Sequence, residues 1–140
     1  MRYLLDTNIF IYLATDRELL SPDVAAILRD YDSVLCMSAE SLRELIVAFR
    51  NKELLSKYWK TETDMIQAIE NDFNIQILPL RKEHMLTYAQ LELNEREGHK
   101  DPSDHVIISQ AITEHIPLLS SDTRFPFYVR QGLDLIVNKK

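Results

Sequence analysis

Short apolar runs punctuate the chain at Tyr3–Leu5, Ser33–Met37, Ile75–Leu78 and Leu118–Ser120, each bounded by polar or turn-forming residues. Their length and lack of alternation predict brief strands buried on both faces. Between them apolar positions recur at helical spacing, predicting helices over Asn8–Thr15, Asp23–Asp30, Ser41–Arg50, Glu62–Asn71, Glu83–Glu95 and Pro102–Glu114. Strands alternating with helices predict an α/β fold, three layers deep, with a central parallel sheet covered on both sides. Only two glycines and five prolines occur, and no repeat or low-complexity tract marks a linker, so residues 1–140 read as a single domain.

Composition narrows the setting more than the function. The lone cysteine, Cys36, lies in the apolar run Val34-Leu35-Cys36-Met37, which excludes a disulfide framework and a cysteine-rich zinc site. The opening Met1-Arg2-Tyr3-Leu4-Leu5-Asp6 meets a charge too soon for a signal-peptide core, and no later run approaches membrane-spanning length. A soluble, cytoplasmic protein is expected. Net charge is −6, against the usual balance for a protein gripping phosphates. Bound divalent cations would reverse the local field, leaving Arg43, Arg50, Lys52, Lys57, Lys60, Lys100 and Arg124 as a possible basic grip.

In open α/β sheets ligands sit beyond the carboxyl ends of the strands, where strand order reverses. Asp6 directly follows the first strand, amid apolar residues where an unpaired charge is costly, although capping the next helix would also explain it. Asp101-Pro102 reads as a helix N-cap and its first position, which puts Asp104 at the third, near the positive end of the helix dipole and open to a capping-box role. Asp104 is the expected ligand, with Asp101 supporting it from behind. Glu44 competes with Glu40 on one helical face, and Ser41 with Glu44 also fits a capping box. Asp122 follows the fourth strand, where an aspartate also serves as a turn former.

Carboxylates without cysteines suit Mg²⁺ or Mn²⁺ rather than zinc, and such ions serve phosphodiester hydrolysis. His84, His99, His105 and His115 lack the helical spacing of zinc proteases. His99 and His105 flank the acidic motif, within reach of a substrate, and read as surface residues. The basic stretch Lys52–Lys60, with Tyr58 and Trp59, offers either stacking for single-stranded RNA or a contact with a protein partner.

These segments together resemble the PIN-domain nucleases, and within them the VapC-type toxins, nearly end to end. Leu5-Asp6-Thr7-Asn8 resembles the family's opening motif, and Ser38 followed by Glu44-Leu45 its second acidic motif, which selects Glu44 over Glu40. His99-Lys100-Asp101-Pro102-Ser103-Asp104-His105 is similar to a subgroup pattern, and Leu118-Leu119-Ser120-Ser121-Asp122, with Phe125 and Tyr128, to the closing segment. The resemblance implies Mg²⁺- or Mn²⁺-dependent endoribonuclease cleavage leaving a 3′-hydroxyl. It implies that Asp6, Glu44, Asp104 and Asp122 bind metal and activate water while Asn8 and Ser120 orient them. It further implies a homodimer inhibited by a small antitoxin whose tail covers the acidic pocket, with RNA as the substrate.

Ser103 and His105 depart from the subgroup's phenylalanine and arginine, removing an apolar contact and a fixed positive charge beside the site. Alternatives on the same fold are an RNA-processing PIN nuclease outside any toxin–antitoxin pair and a non-catalytic PIN binding module. A phosphoacceptor receiver domain requires an acidic pair after the first strand, but Thr7 follows Asp6.

Overall fold

The computed structural model describes residues 1–139. The chain runs β1 (Arg2–Leu5), α1 (Thr7–Thr15), a 3₁₀ turn (Arg17–Leu19), α2 (Pro22–Arg29), β2 (Val34–Ser38), α3 (Ala39–Arg50) and α4 (Glu62–Gln67). It continues through a π-helical turn (Ala68–Asp72), β3 (Ile75–Leu78), α5 (Lys82–Gln90), α6 (Pro102–Glu114), β4 (Leu118–Ser120), a 3₁₀ helix (Phe125–Gln131) and β5 (Leu135–Val137). No described helix is long and apolar enough to cross a membrane.

The strands form one sheet in the order β3-β2-β1-β4-β5, and every pairing is parallel. Strand order therefore reverses between β1 and β4. The sheet divides the core into two apolar layers, each covered by helices. Leu5, Ile9, Phe10, Leu35, Met37, Leu45, Met65 and Ile69 pack on one side, and Leu4, Cys36, Ile107, Ile108, Leu118, Phe125 and Tyr128 on the other. Successive residues of one strand, such as Leu4 and Leu5 in β1, point into opposite layers. Burial on both faces is thus met in β1 and β4; β3 lies at the sheet edge and exposes Gln76, so it is only half covered.

Three expectations need correction. The helix read over Glu83–Glu95 stops at Gln90, and the chain beyond is held by tertiary rather than helical bonds. Gln131 accepts from Glu92 N–H and donates to its carbonyl, while Asn94 Nδ2 donates to Glu97 and to the Arg124 carbonyl. The pattern over Glu62–Asn71 breaks from α-helix into a π-helical turn at Ala68. Trp59 is not an exposed stacking surface: it is 8% exposed and stacks on Phe10 at 6.3 Å in the core, leaving only Tyr58 exposed.

The 3₁₀ helix Phe125–Gln131 and β5 were not predicted. β5 is three residues long, and a nearby side chain anchors it: Asn138 accepts from Ser21 N–H and donates to the Leu19 carbonyl, while its backbone N–H bonds Ser120.

Candidate active site

Asp6 is the first residue beyond β1 and is 4% exposed. Its Oδ1 accepts from Thr7 N–H at 2.9 Å, so it does cap α1, but its Oδ2 faces inward and accepts from Ser120 Oγ at 2.8 Å. Capping and burial of a charge are both true of this residue. Ser120, the last residue of β4, also accepts from Asp122 N–H, so one hydroxyl fixes the acidic residues on both sides of the strand reversal.

Glu44 comes from the second turn of α3. That helix starts at Ala39 with Ser38 as N-cap, which removes the Ser41–Glu44 capping box, and Glu44 instead accepts from Thr7 Oγ1 at 2.6 Å. Glu40 is held away by a two-point pair with Arg43, each bond 2.8 Å. Asp101 caps α6 by accepting from Ser103 N–H, with Pro102 in the first turn as expected. Asp104 makes no capping box there; its Oδ2 is 2.9 Å from His99 Nε2.

Electrostatics couple these groups. Burial pushes the Asp6 carboxyl up to about 7, and the charges of Asp104 and Glu44 push the same way against the Ser120 and Thr7 hydrogen bonds. Burial likewise pushes Asp104 up to about 7, reinforced by Asp101, Asp122 and Glu44 and opposed by Arg124. Asp122 is the exception. Burial would raise it, but Arg124 holds it below the ordinary value by bonding both carboxylate oxygens, at 2.8–3.0 Å.

This donor set fits a hard divalent cation. Buried carboxylates that repel one another, with one partly exposed guanidinium beside them, have a charge deficit that such an ion matches. His99, Asp104 and Asp122 each offer a ligand atom within 4.8 Å of the others. His99 is a poor ligand nonetheless, because both ring nitrogens are already engaged, by Asp104 and by the Tyr128 hydroxyl. Beside the carboxylates runs a groove of about 390 Å³ lined by Thr7, Asn8, Arg43, Glu44, Asp101 and Ser103 among others.

Residues 3–129 match the PIN domain family. The chain belongs to the PIN domain family. No curated protein matches the PIN-domain chain. Among solved structures it is similar to a chain of VapBC2 from Rickettsia felis bound to a DNA fragment from their promoter, at TM-score 0.72 and 23% identity over 99% of this chain and 100% of that one. It is also similar to VapBC-1 from nontypeable Haemophilus influenzae, at TM-score 0.70 and 23% identity over 100% of both chains. A third is DNA-bound VapBC from Salmonella typhimurium, at TM-score 0.67 and 18% identity over 99% of both. At these identities the likeness is one of fold.

Within this PIN domain Asp104 and Asp122, with His99, bring ligand atoms within 4.8 Å of one another among the described residues, Asp6 and Glu44 are coupled to them electrostatically from beside the β1/β4 reversal, and the predicted supporting residues divide. Ser120 bridges Asp6 and Asp122, Asp101 holds the start of α6, and Asn8 is an exposed residue of the groove. Lys100 is exposed, and Arg124 is engaged with Asp122 rather than free. His99 and His105 are not surface residues: they are 1% and 2% exposed. Thr7, the hydroxyl on Glu44, was missed as a site residue; a hydroxyl directly after Asp6 was the available signal.

Proposed function

We propose that this PIN domain, spanning residues 1–140 as one unit, is a metal-dependent endoribonuclease and the toxin of a toxin–antitoxin pair. The observation that supports the reading is the electrostatic coupling of Asp6, Glu44, Asp104 and Asp122 around the strand reversal, with two of them driven to about 7 by burial and mutual repulsion. These four would hold Mg²⁺ or Mn²⁺, as the family resemblance implies.

When bound, the ion supplies an activated water and neutralises charge on the scissile phosphate. Ser120 and Thr7 fix the Asp6 and Glu44 carboxylates, so that little reorganisation is needed when substrate arrives. Arg124 keeps Asp122 ionised and brings a positive charge to an otherwise acidic edge. The groove past Asn8 and Arg43 gives a single strand a path to the carboxylates, with Lys100 and Arg124 as phosphate contacts.

The partner reading rests on likeness. The structures it resembles include VapBC assemblies, which supports a small antitoxin as partner, and a homodimer follows from the family resemblance. Action in the cytoplasm fits the free, buried Cys36.

Purified protein, freed of any copurifying antitoxin, is tested on a panel of structured RNAs with Mg²⁺ or Mn²⁺ against EDTA. Cleavage that needs the ion and is abolished by Asp6→Asn and by Asp104→Asn is the expected result. Equal cutting by wild type and variants would mark a contaminant, and no cutting under any condition would favour a non-catalytic binding module.

A further inference from the structure

His99 and Tyr128 form a buried hydrogen-bonded relay ending on Asp104, and its direction follows from the donors. Asn94 N–H donates to Tyr128 Oη at 3.1 Å. Tyr128 Oη lies 2.9 Å from His99 Nδ1, and His99 Nε2 lies 2.9 Å from Asp104 Oδ2. Above about pH 7, where Asp104 is ionised, its carboxylate only accepts, so the ring donates through Nε2. Nδ1 is then the acceptor of a neutral ring, and the phenol, already accepting from Asn94, supplies the hydrogen. Each link has one consistent direction.

The imidazole is locked in place as well as in tautomer. His99 N–H donates to the Asn94 carbonyl, and His105 Nε2 lies 3.0 Å from the His99 carbonyl. The ring packs edge-on against His105 at 4.7 Å and beside Phe125 and Tyr128 at 5.5 Å. Asp104 Oδ2 is thus held by a rigid donor, while Oδ1 receives no hydrogen bond from the described residues.

We propose that His99 is a positioning residue: through the tautomer that Tyr128 imposes, it fixes the Asp104 carboxylate with one oxygen turned to the cation site. The proposal rests on the metal-dependent reading above. A ligand carboxylate steered by a buried partner gains affinity because its rotamer is chosen before the ion arrives. His105 has a different task, holding the His99 backbone rather than any carboxylate.

The test is Mn²⁺ binding to the full chain, followed by electron paramagnetic resonance, in wild type, His99→Asn, His99→Gln, Tyr128→Phe and Asp104→Asn. Gln can place its amide N–H near the Nε2 position, whereas Asn falls short of Asp104. Mn²⁺ affinity should fall about 10- to 100-fold in His99→Asn and recover most of that loss in His99→Gln, with Tyr128→Phe in between. Nitrogen-15 histidine spectra of the metal-free wild type, taken about two pH units above 7 so that Asp104 is ionised, should show the Nε2–H tautomer, and Tyr128→Phe should mix the two forms. Excess Mn²⁺ should restore RNA cleavage by His99→Asn, which a misfolded protein would not allow.

Wild-type affinity in His99→Asn, or no advantage of Gln over Asn, would overturn the proposal while leaving the metal reading intact. Wild-type protein showing no Mn²⁺ binding sensitive to Asp104→Asn would overturn both. If His99→Asn does not fold, Tyr128→Phe decides alone, since it keeps the buried ring and removes only the hydroxyl.

Discussion

Asp6→Asn should make the metal-free protein more stable at pH 8 while abolishing its function. In the folded chain the Asp6 carboxyl lies at about 7, against an ordinary 3.8. Between these values the native state holds a proton that the unfolded chain has released, so stability falls as pH rises through the window and is lowest above it. The penalty is absent below about pH 4 and amounts to about 4 kcal/mol above pH 7. Asparagine carries no charge, keeps an oxygen to accept from Thr7 N–H, and presents an amide to Ser120 Oγ, which can turn to accept. The rearranged serine bond offsets part of the gain, leaving about 2 kcal/mol. Urea denaturation in EDTA at pH 4 and pH 8 reads this directly: the variant should be the less stable at pH 4, by the cost of the rearranged serine bond, and the more stable at pH 8, with an unchanged m-value. Millimolar Mn²⁺ at pH 8 should then stabilise wild type and leave Asp6→Asn unmoved. A variant no more stable than wild type at pH 8, or equally more stable at both pH values, would refute the reasoning.

Ser120→Ala removes the one donor on Asp6 Oδ2 and the acceptor for Asp122 N–H, and should weaken Mn²⁺ affinity about tenfold, read as the ion concentration giving half-maximal cleavage. Arg124→Gln removes both charge-assisted bonds that hold Asp122 below its usual range; the Asp122 pKa, followed by carbon-13 NMR titration, should therefore rise. Because a depressed carboxylate stabilises the fold above its unfolded pKa, that variant should lose stability at neutral pH and match wild type in strong acid. Trp59→Ala should cost about 3–5 kcal/mol in urea melts by opening a void against Phe10, whereas Tyr58→Ala should stay within about 0.5 kcal/mol.

Residues whose surroundings are local were the legible ones. Asp101-Pro102 announced the start of α6, and the apolar runs of β1 and β4 announced strands because both of their faces are covered. Asp6 stood out because the apolar runs Tyr3–Leu5 and Ile9–Tyr12 lie on either side of it. His99 was misjudged for the converse reason. Its neighbours Glu95, Arg96, Glu97 and Lys100 are charged and exposed, while the groups that bury it, Phe125 and Tyr128, come from a distant 3₁₀ helix. The same long-range origin hid β5, which exists because β4 offers an edge and Asn138 ties it to α2's entry, not because three residues prefer extended backbone. Glu44 could not be told from Glu40 by periodicity, since both share a helical face; the Thr7 hydroxyl and the Arg43 fork separate them in space.

The placing of β1 in mid-sheet has a consequence in time. Asp6 leaves the ribosome early, yet its partner Ser120 lies 114 residues further along, and β1 cannot close on β4 until that segment has emerged. Contacts of such long span form late and slowly, because the intervening chain must be ordered before they are made. No nascent fragment ending before Asp122 can assemble the four carboxylates, so an incomplete chain lacks the proposed site by topology alone. A partner captured during this delay would meet the protein before its site exists.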